Sequence, residues 1–135
     1  MKKIVREYKK CLEKIAEFSI QIETHQKQIS DIGTIDVSAN TILHANSTDK
    51  SFIYGLGIVR SQIDSCFLLG IPSEEYHQKF NNIIELHRAK TQLNELLLQK
   101  CKVQIKETEL WDIMSSDDKF PFIMQEQDHF SAVVG

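Results

Sequence analysis

The chain has 135 residues, of which 41% are hydrophobic and 26% charged, and it carries a formal net charge of −3 at pH 7. That length predicts one small domain and excludes most multidomain enzymes. Five Gly and two Pro are too few turn formers for an all-β sandwich, and 16 Lys+Arg against 19 Asp+Glu leave no cationic surplus for nucleic acid, so a mainly helical protein with no nucleic-acid partner is expected.

The first element announces itself by spacing. Ile4, Tyr8, Cys11, Ile15, Phe18, Ile22, His25 and Ile29 alternate at intervals of four and three, a heptad seam suited to lengthwise packing on another helix. The residues between, among them Lys2, Lys3, Arg6, Lys9, Lys10 and Lys14, form a solvated and mostly basic face. A helix from about Lys3 to Ser30 would span roughly 40 Å, with Gly33 as its stop.

Residues 34–70 lose that period and read as a β region. In Ser51 to Val59, Phe52, Tyr54, Leu56 and Ile58 alternate onto one face, while Gly55 and Gly57 leave the other open to another backbone. Thr41 to Ala45 is the expected partner strand, joined through the turn formers Asn46 to Lys50. Cys66 to Leu69 reads as a further strand, or Gln62 to Leu69 as a short helix, and the pattern leaves both open. The apolar stretch 52–71 is interrupted by Arg60, Gln62 and Asp64, so no membrane span is expected.

A second helix opens at Pro72-Ser73-Glu74-Glu75, with Ser73 as cap and two acids at the positive end of the helix dipole. Tyr76, Phe80, Ile83, Ile84, Leu86, Leu93, Leu96, Leu97, Val103, Leu110 and Met114 then recur at helical spacing, predicting a helix of about forty residues that needs a long partner. Residues 115–135 lack a clear period and read as a flexible tail.

The order of elements, and the stretch Ile35 to Phe80, resemble an α-class prefoldin subunit. Thr48-Asp49-Lys50-Ser51-Phe52-Ile53-Tyr54-Gly55-Leu56-Gly57 is similar to that family's turn and apolar strand ending in Leu-Gly. Cys66-Phe67-Leu68-Leu69 with Ser73-Glu74-Glu75 resembles its last strand and the acidic start of its second helix, and Thr108-Glu109-Leu110-Trp111-Asp112 resembles the end of the third prefoldin subunit. The link Gly57 to Ser73 is longer than the family's and holds Arg60 and Asp64.

The resemblance implies one prefoldin-like domain over 1–114: a first coiled-coil arm (1–32), a β-hairpin region (34–70) and a second, antiparallel arm (73–114). It further implies a subunit of a hexameric, ATP-independent co-chaperone in the cytoplasm, with other prefoldin subunits, unfolded actin- or tubulin-like clients and the cytosolic chaperonin as partners. Clients would bind exposed apolar residues at the arm tips, Ile4, Val5, Tyr8, Leu110, Trp111, Ile113 and Met114. Assembly would use Ile42, Leu43, Phe52, Ile53, Tyr54, Leu56 and Ile58. The alternative is a coiled-coil adaptor or structural subunit of another complex, without chaperone activity.

Evidence for catalysis is thin. Cys11, Cys66 and Cys101 are widely spaced, have no Cys-x-x-Cys pair and read as reduced, buried thiols of a cytosolic protein with no secretory signal. His87 with Lys90 faintly resembles a phosphotransfer helix, but Thr91 stands where that family has a small residue. Glu74-x-x-His77 and Glu126-x-x-His129 have di-iron spacing without the further carboxylates such a centre requires. His25, on the seam, reads as hydrogen-bonded across the coil. The expectation is no enzyme, no cofactor and no metal.

Overall fold

The computed structural model describes the backbone of residues 2–38 and 40–134 and the side chains of 2–38 and 40–125. Its elements in chain order are α1 (Lys3–Ile32), β1 (Ile35–Ser38), β2 (Thr41–Leu43), α2 (Asp49–Leu69), α3 (Glu74–Ile113) and α4 (Ser116–Val134). The protein is therefore mainly helical with one small antiparallel sheet, as its composition requires.

All eight seam positions of α1 are buried or half-buried, while the intervening lysines and arginine are exposed. The helix stops where expected. Gly33 adopts a left-handed backbone (φ 67°), and its N–H donates to the Ile29 carbonyl at 2.9 Å, closing the last turn.

The β region is much smaller than the sequence pattern suggests. β1 pairs with β2 in the register Ile35 with Leu43, Asp36 with Ile42 and Ser38 with Thr41. The expected strand 51–59 is a helix instead, and the open choice over 62–69 falls to the same helix. Phe52, Gly55, Val59 and Cys66, the buried residues of α2, recur at helical intervals that coexist with the strand-like alternation. Local capping favours the helical period. Thr48 has extended backbone, and its side-chain oxygen accepts from the Ser51 N–H at 3.2 Å, while Asp49 stands in the first turn. At the other end Gly70 (φ 66°) donates to the Phe67 carbonyl and Ile71 to the Cys66 carbonyl, a paired closure that satisfies two free carbonyls.

Within the tail expected over 115–135, Ser116–Val134 is also helical. The Ser115 hydroxyl accepts from the Asp118 N–H at 3.3 Å, and Asp117 and Asp118 sit at the positive end of the α4 dipole. Pro121 inside α4 removes one backbone donor, yet its neighbour Phe122 is buried.

The chain divides into two compact units. In the unit of residues 21–96, Ile35, Val37, Leu43, Phe52, Val59, Ile83 and Leu86 form one core, so the hairpin, α2 and the first half of α3 are packed on each other. Gly55 allows the close approach of α2 to the hairpin: a Cβ there would lie 2.8 Å from Leu43 Cδ1, so the buried Leu43 side chain would have to shift. In the unit of residues 1–20 and 97–135, Tyr8, Cys11, Leu110, Met114 and Phe122 form a second core, flanked by Ile4, Val5, Val103 and Trp111.

Candidate functional site

Because one side of α2 carries Phe52, Gly55, Val59 and Cys66 into the core, a rotation of ~100° per residue leaves the opposite side facing solvent. Exposed along α2 stand Ile53 and Tyr54 near its start and Phe67, Leu68 and Leu69 at its end, followed past the cap by the exposed Ile71. Phe67 and Leu68 are 85% and 82% exposed, values that make them the least covered large apolar side chains of the described residues. Single exposed leucines are ordinary on a soluble surface, but an aromatic and two leucines in succession at a helix end mark an interaction site. Arg60 and Asp64 lie between the two apolar ends of this side.

Beside it, α2 and α3 enclose an open groove of about 570 Å³ with an apolar floor of Phe52, Ile53, Leu56 and Ile84. One end is closed by charge. Asp49 Oδ1 lies 3.2 Å from His87 Nε2 and 3.6 Å from Lys90 Nζ, and Lys90 also donates to the Ser47 carbonyl at 2.7 Å. The His87 hydrogen bond, and then the Lys90 charge, hold the Asp49 carboxyl below its ordinary value. His87 is further fixed edge-on to Phe52, with centroids 4.9 Å apart, and Lys90 Nζ sits 5.5 Å from the same ring centroid. These contacts tie the start of α2 to α3, a structural role that the phosphotransfer comparison did not anticipate.

The residues expected to form an assembly surface are split by the helix. Leu43 and Phe52 are core residues, Leu56 and Ile58 are half-buried, and Ile42, Ile53 and Tyr54 are exposed. The even-numbered set Phe52, Tyr54, Leu56 and Ile58 thus shares no common face, because a helix turns by less than a third of a circle per residue where a strand turns by half.

The expected client-binding tips need a larger correction. Tyr8, Leu110 and Met114 are buried, Ile4, Val5 and Trp111 are half-buried, and Ile113 alone stays exposed. The cause is α4, unforeseen in the sequence. Phe122 meets the Tyr8 ring edge-on at 4.7 Å, Trp111 lies 5.5 Å from Tyr8, and the Tyr8 hydroxyl donates to Glu107 Oε1 at 2.7 Å. Lys2 pairs with Asp118 at 3.2 Å, and Lys119 Nζ sits 5.3 Å from the Trp111 ring centroid.

No family model, curated protein or solved structure matches this chain. Its remaining chemistry is sparse. His25 bonds to the Gln21 carbonyl at 2.9 Å and to Gln92 Oε1 on α3 at 3.0 Å, the cross-helix role read from its seam position. Cys11 and Cys66 are buried, whereas Cys101, expected inside, is exposed. Among the described residues no group of three or more His, Cys, Asp or Glu side chains converges; the Glu126 and His129 side chains lie outside that set. α2 is the one described helix long and apolar enough to cross a bilayer by length and composition, with Arg60 and Asp64 at mid-length. Charges at that depth make insertion costly.

The signal that sequence reading missed is the run Phe67-Leu68-Leu69-Gly70-Ile71. A strand explains three successive apolar residues by burial on both faces, but a helix edge cannot bury all three.

Proposed function

We propose that this protein is a helical docking subunit, the adaptor alternative of the sequence reading, which binds another folded protein through the outer side of α2. The observation that carries this is the exposure of Phe67, Leu68 and Leu69 at one end, and of Ile53 and Tyr54 at the other, of a helix that is anchored in a core by its buried residues. Side chains on a rigid element lose little freedom on binding, and a few central anchors, aromatic ones above all, supply most of the energy of a contact. The free thiols Cys11, Cys66 and Cys101 accord with a reducing compartment such as the cytoplasm.

Of the seven tip residues in the co-chaperone reading, Tyr8, Leu110 and Met114 are enclosed with Phe122 while Ile113 is exposed, and of its assembly region Ile42 and Leu43 lie on a strand and 52–59 in a helix. Photocrosslinking from a benzoylphenylalanine at position 67, in the native host, separates the two. The docking reading predicts a single adduct of defined mass, lost when Leu68→Ser and Leu69→Ser are added. A ladder of many masses, together with suppressed aggregation of an unfolded test protein, would favour the co-chaperone, and no adduct at all would contradict both.

A further inference from the structure

The outer side of α2 has an internal pattern of its own. Ile53, Gly57, Arg60, Asp64 and Phe67 follow one another at intervals of four, three, four and three, and all five are exposed. This is an exposed heptad stripe, whereas the heptad seam of α1 is buried or half-buried at all eight positions. Gly57 is open: a Cβ built there would meet nothing within 4 Å. Among the described residues, Arg60 and Asp64 take part in no ion pair, although they lie one turn apart.

Reversed end to end, the stripe complements itself. With two copies of α2 antiparallel and the two-fold axis beside residue 62, Arg60 of each lies opposite Asp64 of the other. The Phe67 ring of each lies opposite the vacant side of the other's Gly57. The large Phe67 meets the small Gly57 and each charge meets its opposite, which is the requirement of an isologous contact, where one patch must fit itself.

We infer, building on the docking reading, that the partner of this face is a second copy of the same chain, joined by antiparallel pairing of the two α2 helices. Two heptads bury less than the roughly 1,600 Å² of a standard interface, so the dimer is reversible, with dissociation on the order of micromolar or weaker. Tyr54 and Leu68, on the flank of the stripe, widen the apolar contact, and the two Arg60–Asp64 pairs set register and orientation more than affinity.

Sedimentation equilibrium of the full chain over about 5–500 µM, with Cys101→Ser to exclude disulfide linkage, tests this through charge exchange. Wild type should pass from monomer to dimer with concentration. Arg60→Asp alone sets two acids opposite two acids, Asp64→Arg alone sets two bases opposite two bases, and each should weaken self-association roughly tenfold or more. Mixed in equal amounts the two variants should pair with each other, because every acid then meets a base. The double variant Arg60→Asp with Asp64→Arg should recover the wild-type dimer. Gly57→Leu, at an open and exposed position, should leave helicity intact and abolish pairing by occupying the space of the Phe67 ring. A chain monomeric throughout the range, or a dimer indifferent to all of these changes, overturns the inference. If the wild type is monomeric and position 67 still crosslinks to one unrelated protein of defined mass, the docking reading stands and self-pairing falls.

Discussion

Phe52→Ala is expected to remove about 3–5 kcal/mol from the stability of the unit of residues 21–96, and Tyr54→Ala less than about 0.5 kcal/mol. Phe52 is 2% exposed and joins α2 to the hairpin core, His87 and Lys90, so truncation leaves a cavity that rigid neighbours cannot fill. Tyr54, two residues on, is 63% exposed. In a strand the two side chains would share one face and their truncations would cost similar amounts. Urea unfolding of both variants, followed by circular dichroism, reads the difference directly. Equal losses would contradict the helical account of this segment.

Tyr8→Ala is expected to destabilise the other unit by about 3 kcal/mol or more, through its lost contacts with Phe122 and Trp111 and through the Glu107 carboxylate left without its hydroxyl donor. Trp111 is the only tryptophan, so its emission reports the change: a red shift and an earlier unfolding midpoint as water reaches the indole. Had Tyr8 been part of an open client-binding tip, the variant would keep its stability and its fluorescence. An unchanged unfolding midpoint would therefore restore that role to Tyr8.

Much of the fold was legible because long helices repeat themselves. Eight seam residues specify α1, a Ser-Glu-Glu start with dozens of residues free of Gly and Pro specifies α3, and Gly33 ends α1 where its sequence says it should. Thr41 to Leu43 was recognised as a strand, although its partner proved to be Ile35 to Ser38. The failure over 49–69 has a local cause. Gly55 and Gly57 lower helix propensity, and alternating aromatic and aliphatic residues fit a pleated strand, so two periods overlap in one segment. Thr48 and Gly70 decide between them, and the sequence pattern marks Thr48 only as a turn former.

The candidate site was harder to read for the same reason. An exposed apolar patch exists only relative to a face, and a wrong period assigns residues to the wrong face. Ile53 and Tyr54, expected at an assembly surface, are exposed, but with strand and helix both open for Phe67, Leu68 and Leu69 the sequence assigns them to no face. At the other end, Tyr8, Leu110 and Met114 were read as bare because Phe122 was assigned to a tail, and in place they form a closed core with it.

The most direct test of the account is solution NMR of the full chain with a soluble paramagnetic probe, since every functional statement here rests on which side of α2 meets solvent. The account predicts helical carbon shifts continuous over residues 49–69, strong probe broadening of Ile53, Tyr54, Phe67 and Leu68, and protection of Phe52, Val59 and Cys66. At low concentration that broadening should be full, and near 500 µM self-pairing should reduce it. Strand-type shifts over 52–59, with Tyr54 as protected as Phe52, would contradict the placement of α2 and remove the docking surface with it.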